Sequence, residues 1–277
     1  MLRGILVGLD GSAYSAAAVE LGIRWARRFE ARVVGIAVVD EPGIIAPEAT
    51  PMGASYFRGE GDQARLDEAR QRAATCLEQL TRRCAEAGVA CQALQVEGDP
   101  VEEIALHSQC YDVILLGQKT YFRTGDPSQA DSCLEELLHQ PPRPVVAVPD
   151  VLPAGEAIVI AYDGSVQSAR ALAGFHGTGI GQRYPIHVIT LGNSIEAAEA
   201  IAKRAVDYLT LHGVEVTAHP LVSGGHPGPQ LAHEAEQLGA QLLVMGAFSH
   251  SPLHEFFFGS TTRTVLKATA LPVFLDH

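Results

Sequence analysis

Gly246-Ala247-Phe248-Ser249, followed nine residues on by Gly259-Ser260-Thr261-Thr262, is the stretch of this sequence best suited to chemistry. Glycine lets a backbone come close to a ligand. Ser260, Thr261 and Thr262 stand where a helix would begin. The first turn of a helix has N–H groups without intrahelical partners, and it is the positive end of the helix dipole. Such a turn holds an anion, phosphate above all. With no ligand bound, the hydroxyls would serve as helix caps. Asp163-Gly164-Ser165 adds a carboxylate able to accept hydrogen bonds from ligand hydroxyls. No general base or nucleophile can be named beside the loop, so ligand binding rather than fast catalysis is expected.

The elements that must position these residues occur twice. Residues 5–12, Ile-Leu-Val-Gly-Leu-Asp-Gly-Ser, return at 158–165 as Ile-Val-Ile-Ala-Tyr-Asp-Gly-Ser. Asp-Val-Ile-Leu-Leu-Gly at 112–117 is echoed by Gln-Leu-Leu-Val-Met-Gly at 241–246. Each copy closes on a Pro-led apolar run, 144–148 and 272–275. Continuous apolar runs of this kind are strands buried on both faces of a parallel sheet.

In the first copy the pattern predicts strands over 4–9, 32–39, 90–96, 112–117 and 144–148, with helices over 13–29, 62–87, 100–109 and 131–139. Residues 41–61, rich in Pro and Gly, read as a long loop. In the second copy strands are expected over 157–162, 186–191, 215–222, 241–245 and 273–275. Its helices are expected over 165–175, 194–212, 227–238 and 260–269. Two domains follow, 1–150 and 155–277, with a linker around Pro153. Five β-α units per half predict two doubly wound five-stranded parallel sheets. Ligands bind such sheets outside the carboxyl ends of the strands. In the second half those ends carry Asp163-Gly164-Ser165, Thr190 and Met245-Gly246.

The net charge of −12 argues against nucleic acid or an anionic membrane as partner. No apolar run is long enough to span a bilayer. Met1-Leu2-Arg3-Gly4 leads straight into a strand, so a cytoplasmic location is expected. Five cysteines, an odd number without a Cys-x-x-Cys pair, suggest neither a disulfide framework nor a zinc site. They read as reduced thiols packed as small hydrophobes.

The Asp-Gly-Ser turn, the glycine-hydroxyl loop and the Pro-Val closing strand resemble those of the universal stress proteins, in a tandem arrangement that covers essentially the whole chain. Nucleotide-binding members of that family carry Gly-x2-Gly-x9-Gly-[Ser/Thr] after the fourth strand. Gly246, Ser249, Gly259 and Ser260 match that spacing, with Ser249 in the place of the second glycine. The resemblance implies a flavodoxin-like or Rossmann-like fold of the adenine nucleotide alpha-hydrolase type, packed as an internal pseudo-dimer that two chains could extend to a homodimer. It implies an adenine nucleotide, ATP with or without Mg, held by the second domain. Asp163, with Gly164 and Ser165 beside it, and the strand end near Thr190 would hold adenine and ribose. Gly246, with Met245 before it, Ser249, Gly259, Ser260 and Thr261 would hold the phosphates.

The implied role is stress-responsive sensing or regulation of an unidentified protein partner, with slow ATP hydrolysis at most. The alternative is an interaction scaffold that binds no nucleotide. The first copy keeps Asp10 and Val38 but lacks the phosphate loop, because Asp131-Ser132 replaces the Gly-Ser pair. An aspartate there repels phosphate.

Gly177-Thr178-Gly179-Ile180-Gly181 imitates a dinucleotide fingerprint but follows a helix and precedes a strand, the reverse of the required order. His250 and His254, beside Glu255, have a helical metal-ligand spacing, but Pro252 places them in a loop and no metal is expected.

Overall fold

The computed structural model describes residues 1–45, 55–122, 133–139, 141–247 and 260–276. The chain divides into two compact units, Arg3–Leu137, and Leu138–His277 together with Met1–Leu2.

In the first unit four strands, β1 (Gly4–Gly8), β2 (Arg32–Val39), β3 (Cys91–Glu97) and β4 (Val113–Gly117), form a parallel sheet in the order β3-β2-β1-β4. All residues of β4 and nearly all of β1 and β2 are buried. That burial accounts for their unbroken apolar sequences. Helix α1 (Ala13–Phe29) starts where the Ser12 hydroxyl accepts the Ser15 N–H at 3.1 Å. Residues 41–45, expected in a loop, form a short helix, α2 (Glu41–Ile45). Its cap is Asp40, whose Oδ1 accepts the Gly43 N–H at 3.0 Å. Pro42 is tolerated because a proline near a helix start forfeits no intrahelical bond. Helix α3 (Ser55–Ala87) begins before the expected residue 62. Helix α4 (Pro100–Ser108) is capped by Asp99, and α5 (Cys133–Leu137) follows β4.

The second unit contains β5 (Val145–Val148), β6 (Ala157–Ala161), β7 (Ile186–Gly192), β8 (Thr217–Val222), β9 (Ala240–Gly246) and β10 (Val273–Asp276). Their order is β5-β10-β9-β6-β7-β8. All pairs are parallel except β5 with β10, where Phe274 lies opposite Val146. β5, the closing strand of the first copy, thus lies antiparallel beside the closing strand of the second. There it covers the edge of β10, removing an unpaired strand edge.

Helices α6 (Val166–Thr178), α7 (Ile195–Leu211), α8 (Pro227–Gln237) and α9 (Ser260–Ala268) complete this unit, with a 3₁₀ turn at Ile180–Arg183. Helix α6 runs three residues past its expected end and stops at Gly179, whose φ of +74° suits glycine. Phe175 of α6 and Phe274 of β10 meet edge to face, centroids 5.6 Å apart, and both are buried. Among the described residues no helix is long and apolar enough to cross a membrane.

Two histidines join β7 to β8, with His187 Nδ1 3.0 Å from His219 Nε2. Burial holds the His187 imidazole below its ordinary value, and His219 pushes it further down. The folded state thus disfavours the proton that the unfolded chain accepts. This contribution to stability is full above about pH 6.5 and is lost as pH falls from there toward the depressed folded value. Thermal melts from pH 8 to pH 5 should show Tm falling below pH 6.5. His187→Leu should flatten that part of the profile, and an unchanged profile would remove the pair as its cause.

Candidate functional site

In the second unit β6 and β9 pair in parallel through Ile160 and Val244, and the crevice expected of such a sheet lies beyond their carboxyl ends. Chain order reverses between these two strands, so this is the switch point of the sheet. Just beyond β6, Asp163 Oδ1 accepts the Ser165 N–H at 2.9 Å. Gly164 turns the chain with φ +79°, and the Ser165 hydroxyl caps α6 by accepting the Ser168 N–H at 3.1 Å. Asp163 itself is exposed.

Gly246 ends β9 against the first turn of α6. A Cβ there would lie 2.6 Å from the Gln167 carbonyl carbon and 2.7 Å from the Ser168 nitrogen. The glycine read in the sequence as an approach to ligand is thus also required by an approach to α6. The first unit repeats the arrangement. A Cβ on Gly117 would sit 2.6 Å from Tyr14 Cβ, in the first turn of α1.

Asp163, Gly164, Ser165 and Gly246 are therefore gathered at one place. Met245 and Thr190 are close in sequence to the crevice but buried. Met245 lies within β9, paired with Leu275. Thr190 shares a strand face with Gly192, where a Cβ would meet the Ala198 backbone at 2.8 Å, so that face lies beneath α7. The Thr190 hydroxyl is buried there without a hydrogen-bond partner. The register shows which residue occupies the matching position. Gly8 pairs with Ile36 and its counterpart Ala161 with Ile189, so Val38 corresponds to Leu191 rather than Thr190. Leu191 is half-buried.

Helix α9 begins at Ser260, as expected, with Thr261 half-buried and Thr262 buried. Ser249 and Gly259 lie outside the described residues, as do His250, His254 and Glu255. Among the described residues no three His, Cys, Asp or Glu side chains converge to hold a metal ion.

Sequence reasoning did not single out Arg204. Its Nη1 lies 3.5 Å from where a Gly164 Cβ would be, so α7 brings a guanidinium to the Asp163 turn. Burial raises the Tyr162 phenol above its ordinary value, Arg204 offsets this and Asp163 adds to it. No local motif marks this arginine, which reaches the turn only through helix packing.

In the first unit the corresponding carboxylate is engaged by its own chain. Asp10 Oδ1 accepts the Ser12 N–H and Oδ2 the Tyr121 N–H, each at 2.8 Å. The segment after β4 thus folds onto the Asp10 turn. Phe122 is buried, and the Thr120 hydroxyl is buried without a partner. Asp131 and Ser132 lie outside the described residues.

A separate open hollow of about 820 Å³ lies at the amino end of β7, lined by His176, Tyr184, His212 and Glu215 among others. It has no residue in common with the crevice.

The model of the Universal stress protein family matches residues 1–149 and 183–277. The universal stress protein Slr1230 of Synechocystis sp. is 28% identical over 165 residues, 59% of this chain and 57% of that relative, so the match spans little more than half of the relative's length. A solved universal stress protein from Archaeoglobus fulgidus DSM 4304 superposes with a TM-score of 0.72 at 20% identity, covering 98% of this chain and 97% of the other. A putative universal stress protein from Pseudomonas aeruginosa UCBPP-PA14 superposes with a TM-score of 0.62 at 17% identity, covering 99% and 92%.

Proposed function

The chain belongs to the universal stress protein family, and we propose that its second domain binds an adenine nucleotide, ATP with its Mg, as a sensor or regulator of a protein partner. The observation that carries this reading is the junction of the Asp163-Gly164-Ser165 turn with Gly246 at the switch point of the sheet. Asp163 is exposed there to accept ribose hydroxyls, and Leu191 stands at the strand end where an adenine edge would rest. Helix α9 starts at Ser260, so its first-turn N–H groups supply the donors that phosphate needs. Arg204 supplies a positive charge in a chain of net charge −12.

The test is native mass spectrometry of the purified protein, followed by calorimetric titration with Mg-ATP. Titration should extend to about 1 mM, where an association worth roughly 4 kcal/mol is half-saturated. One nucleotide per chain is expected, lost in Gly259→Asp. Two per chain would place a second site in the first domain. No binding at 1 mM would end the nucleotide reading.

A scaffold role draws support from exposed apolar side chains around the same crevice. Val166, Ile195 and Val222 are 63%, 41% and 49% exposed at the starts of α6 and α7 and the end of β8. Ser249→Gly separates the two readings: it should tighten Mg-ATP binding if the loop holds phosphate and change nothing if the domain is a scaffold.

A further inference from the structure

The end of α3 brings together two cysteines that the proposed function does not use. Gly88, with φ +67°, closes the helix. Its N–H donates to the Ala85 carbonyl at 3.1 Å, and the Val89 N–H donates to the Cys84 carbonyl at 2.9 Å. This double closure reverses the chain sharply, so the next strand runs back beside the last helical turn. Cys84 lies in that turn, and Cys91 is the first residue of β3.

The second repeat builds the same corner at the end of α7. Gly213 has φ +73°; its N–H donates to Thr210 and the Val214 N–H to Leu209, both at 2.9 Å. The residues matching Cys84 and Cys91 there are Leu209, buried, and Val216, half-buried. One copy thus carries two aliphatic side chains at this corner, and the other carries two thiols, near enough for Cys91 to act on the Cys84 thiol. Cys84 is fully buried and Cys91 is partly open to solvent.

We propose that Cys84 and Cys91 are a redox pair that closes to an intramolecular disulfide under hydrogen peroxide. Cys91, the accessible sulfur, attacks the peroxide O–O bond, giving Cys91 sulfenic acid and one water. Cys84 Sγ then attacks Cys91 Sγ, the S–O bond breaks, and hydroxide leaves as water with the Cys84 proton. Two thiols lose two electrons and two protons, and peroxide becomes two waters. Burial first, and the adjoining Cys91 second, push the Cys84 thiol up to about 12. Cys84 is therefore inert alone and reacts only with an activated sulfur beside it. The bond ties the last turn of α3 to β3, which among the described residues pairs with β2 alone.

The test treats the full-length protein with hydrogen peroxide, denatures it, alkylates the remaining thiols and maps the peptides. The expected product has lost two hydrogens and contains a Cys84–Cys91 linked peptide that dithiothreitol cleaves, with three of the five cysteines still alkylated. In Cys91→Ser, a change at a partly exposed site, Cys84 should stay fully alkylatable at the same dose. Cys91 advancing to sulfinic acid while Cys84 remains alkylatable would overturn the proposal. So would a disulfide through exposed Cys110 in place of the predicted one, or oxidation of Cys84 at an undiminished rate in Cys91→Ser.

Discussion

Gly246→Ala should destabilise the second domain by about 3 kcal/mol, the upper end of what overpacking costs, and lower its Tm by roughly 8 °C. The added methyl would sit 2.6 Å from the Gln167 carbonyl carbon and 2.7 Å from the Ser168 nitrogen. Neither is the tip of a flexible side chain. Both belong to the first turn of α6, held in place by the Ser165 cap. Relief requires β9 and α6 to separate, and this opens the junction on which the proposed nucleotide site is built. Mg-ATP binding should therefore be lost along with stability. Gly117→Ala, which meets Tyr14 Cβ at 2.6 Å, should cost a similar amount and leave nucleotide stoichiometry unchanged. Gly177→Ala is the control of opposite sign. It lies in α6 with no atom within 4 Å of the added carbon, so it should stabilise the protein by about 0.5–1 kcal/mol through helix propensity. Denaturant melts and calorimetric titration of the three variants test this ordering. Equal, small effects at Gly246 and Gly177 would show that the strand end is not in close contact with the helix.

The residues that the sequence made legible carry their own local reason for conformation. The unbroken apolar run Val113–Gly117 suits only a strand buried on both faces, and β4 is that strand. Asp-Gly-Ser predicted a turn and a helix start, and both copies have a left-handed glycine followed by a capping serine. What was not legible depends on partners distant in the chain. Four residues of β5 carry no signal that they pair antiparallel with β10. Thr190 and Leu191 differ by one position, and a period of two places one under α7 and the other on the opposite face. Only the pairing with Ala161 fixes which is which. Pro42 suggested loop, because the capping bond from Gly43 to Asp40 that permits a helix there is a matter of geometry. Arg204 reaches Gly164 because α7 packs on its sheet, a contact that no spacing motif records.

Asp10 and Asp163 stand at the same place in the two repeats, and replacing each by alanine should have opposite consequences. Both oxygens of Asp10 accept backbone N–H groups at 2.8 Å, one in its own turn and one from Tyr121, 111 residues away. Hydrogen bonds to a charged acceptor contribute about 1.5 kcal/mol or more each, and their donors are left unpaired when the acceptor is removed. Asp10→Ala should thus cost about 3 kcal/mol, release the segment after β4 and leave the number of bound nucleotides per chain unchanged. Asp163 is exposed at the mouth of the crevice, and its Oδ1 holds the Ser165 N–H at 2.9 Å. Asp163→Ala should weaken Mg-ATP by at least 10-fold, the equivalent of one hydrogen bond of about 1.4 kcal/mol to a ribose hydroxyl. The pair of variants separates the two uses proposed for one repeated turn: a carboxylate that anchors the segment after β4, and one that accepts from a ligand. If Asp163→Ala melts like Asp10→Ala and binds Mg-ATP like the parent, the second carboxylate is also a loop anchor, and the nucleotide must be sought elsewhere. If Asp10→Ala instead gains a second nucleotide, the Tyr121 contact is what keeps the first crevice closed to ligand.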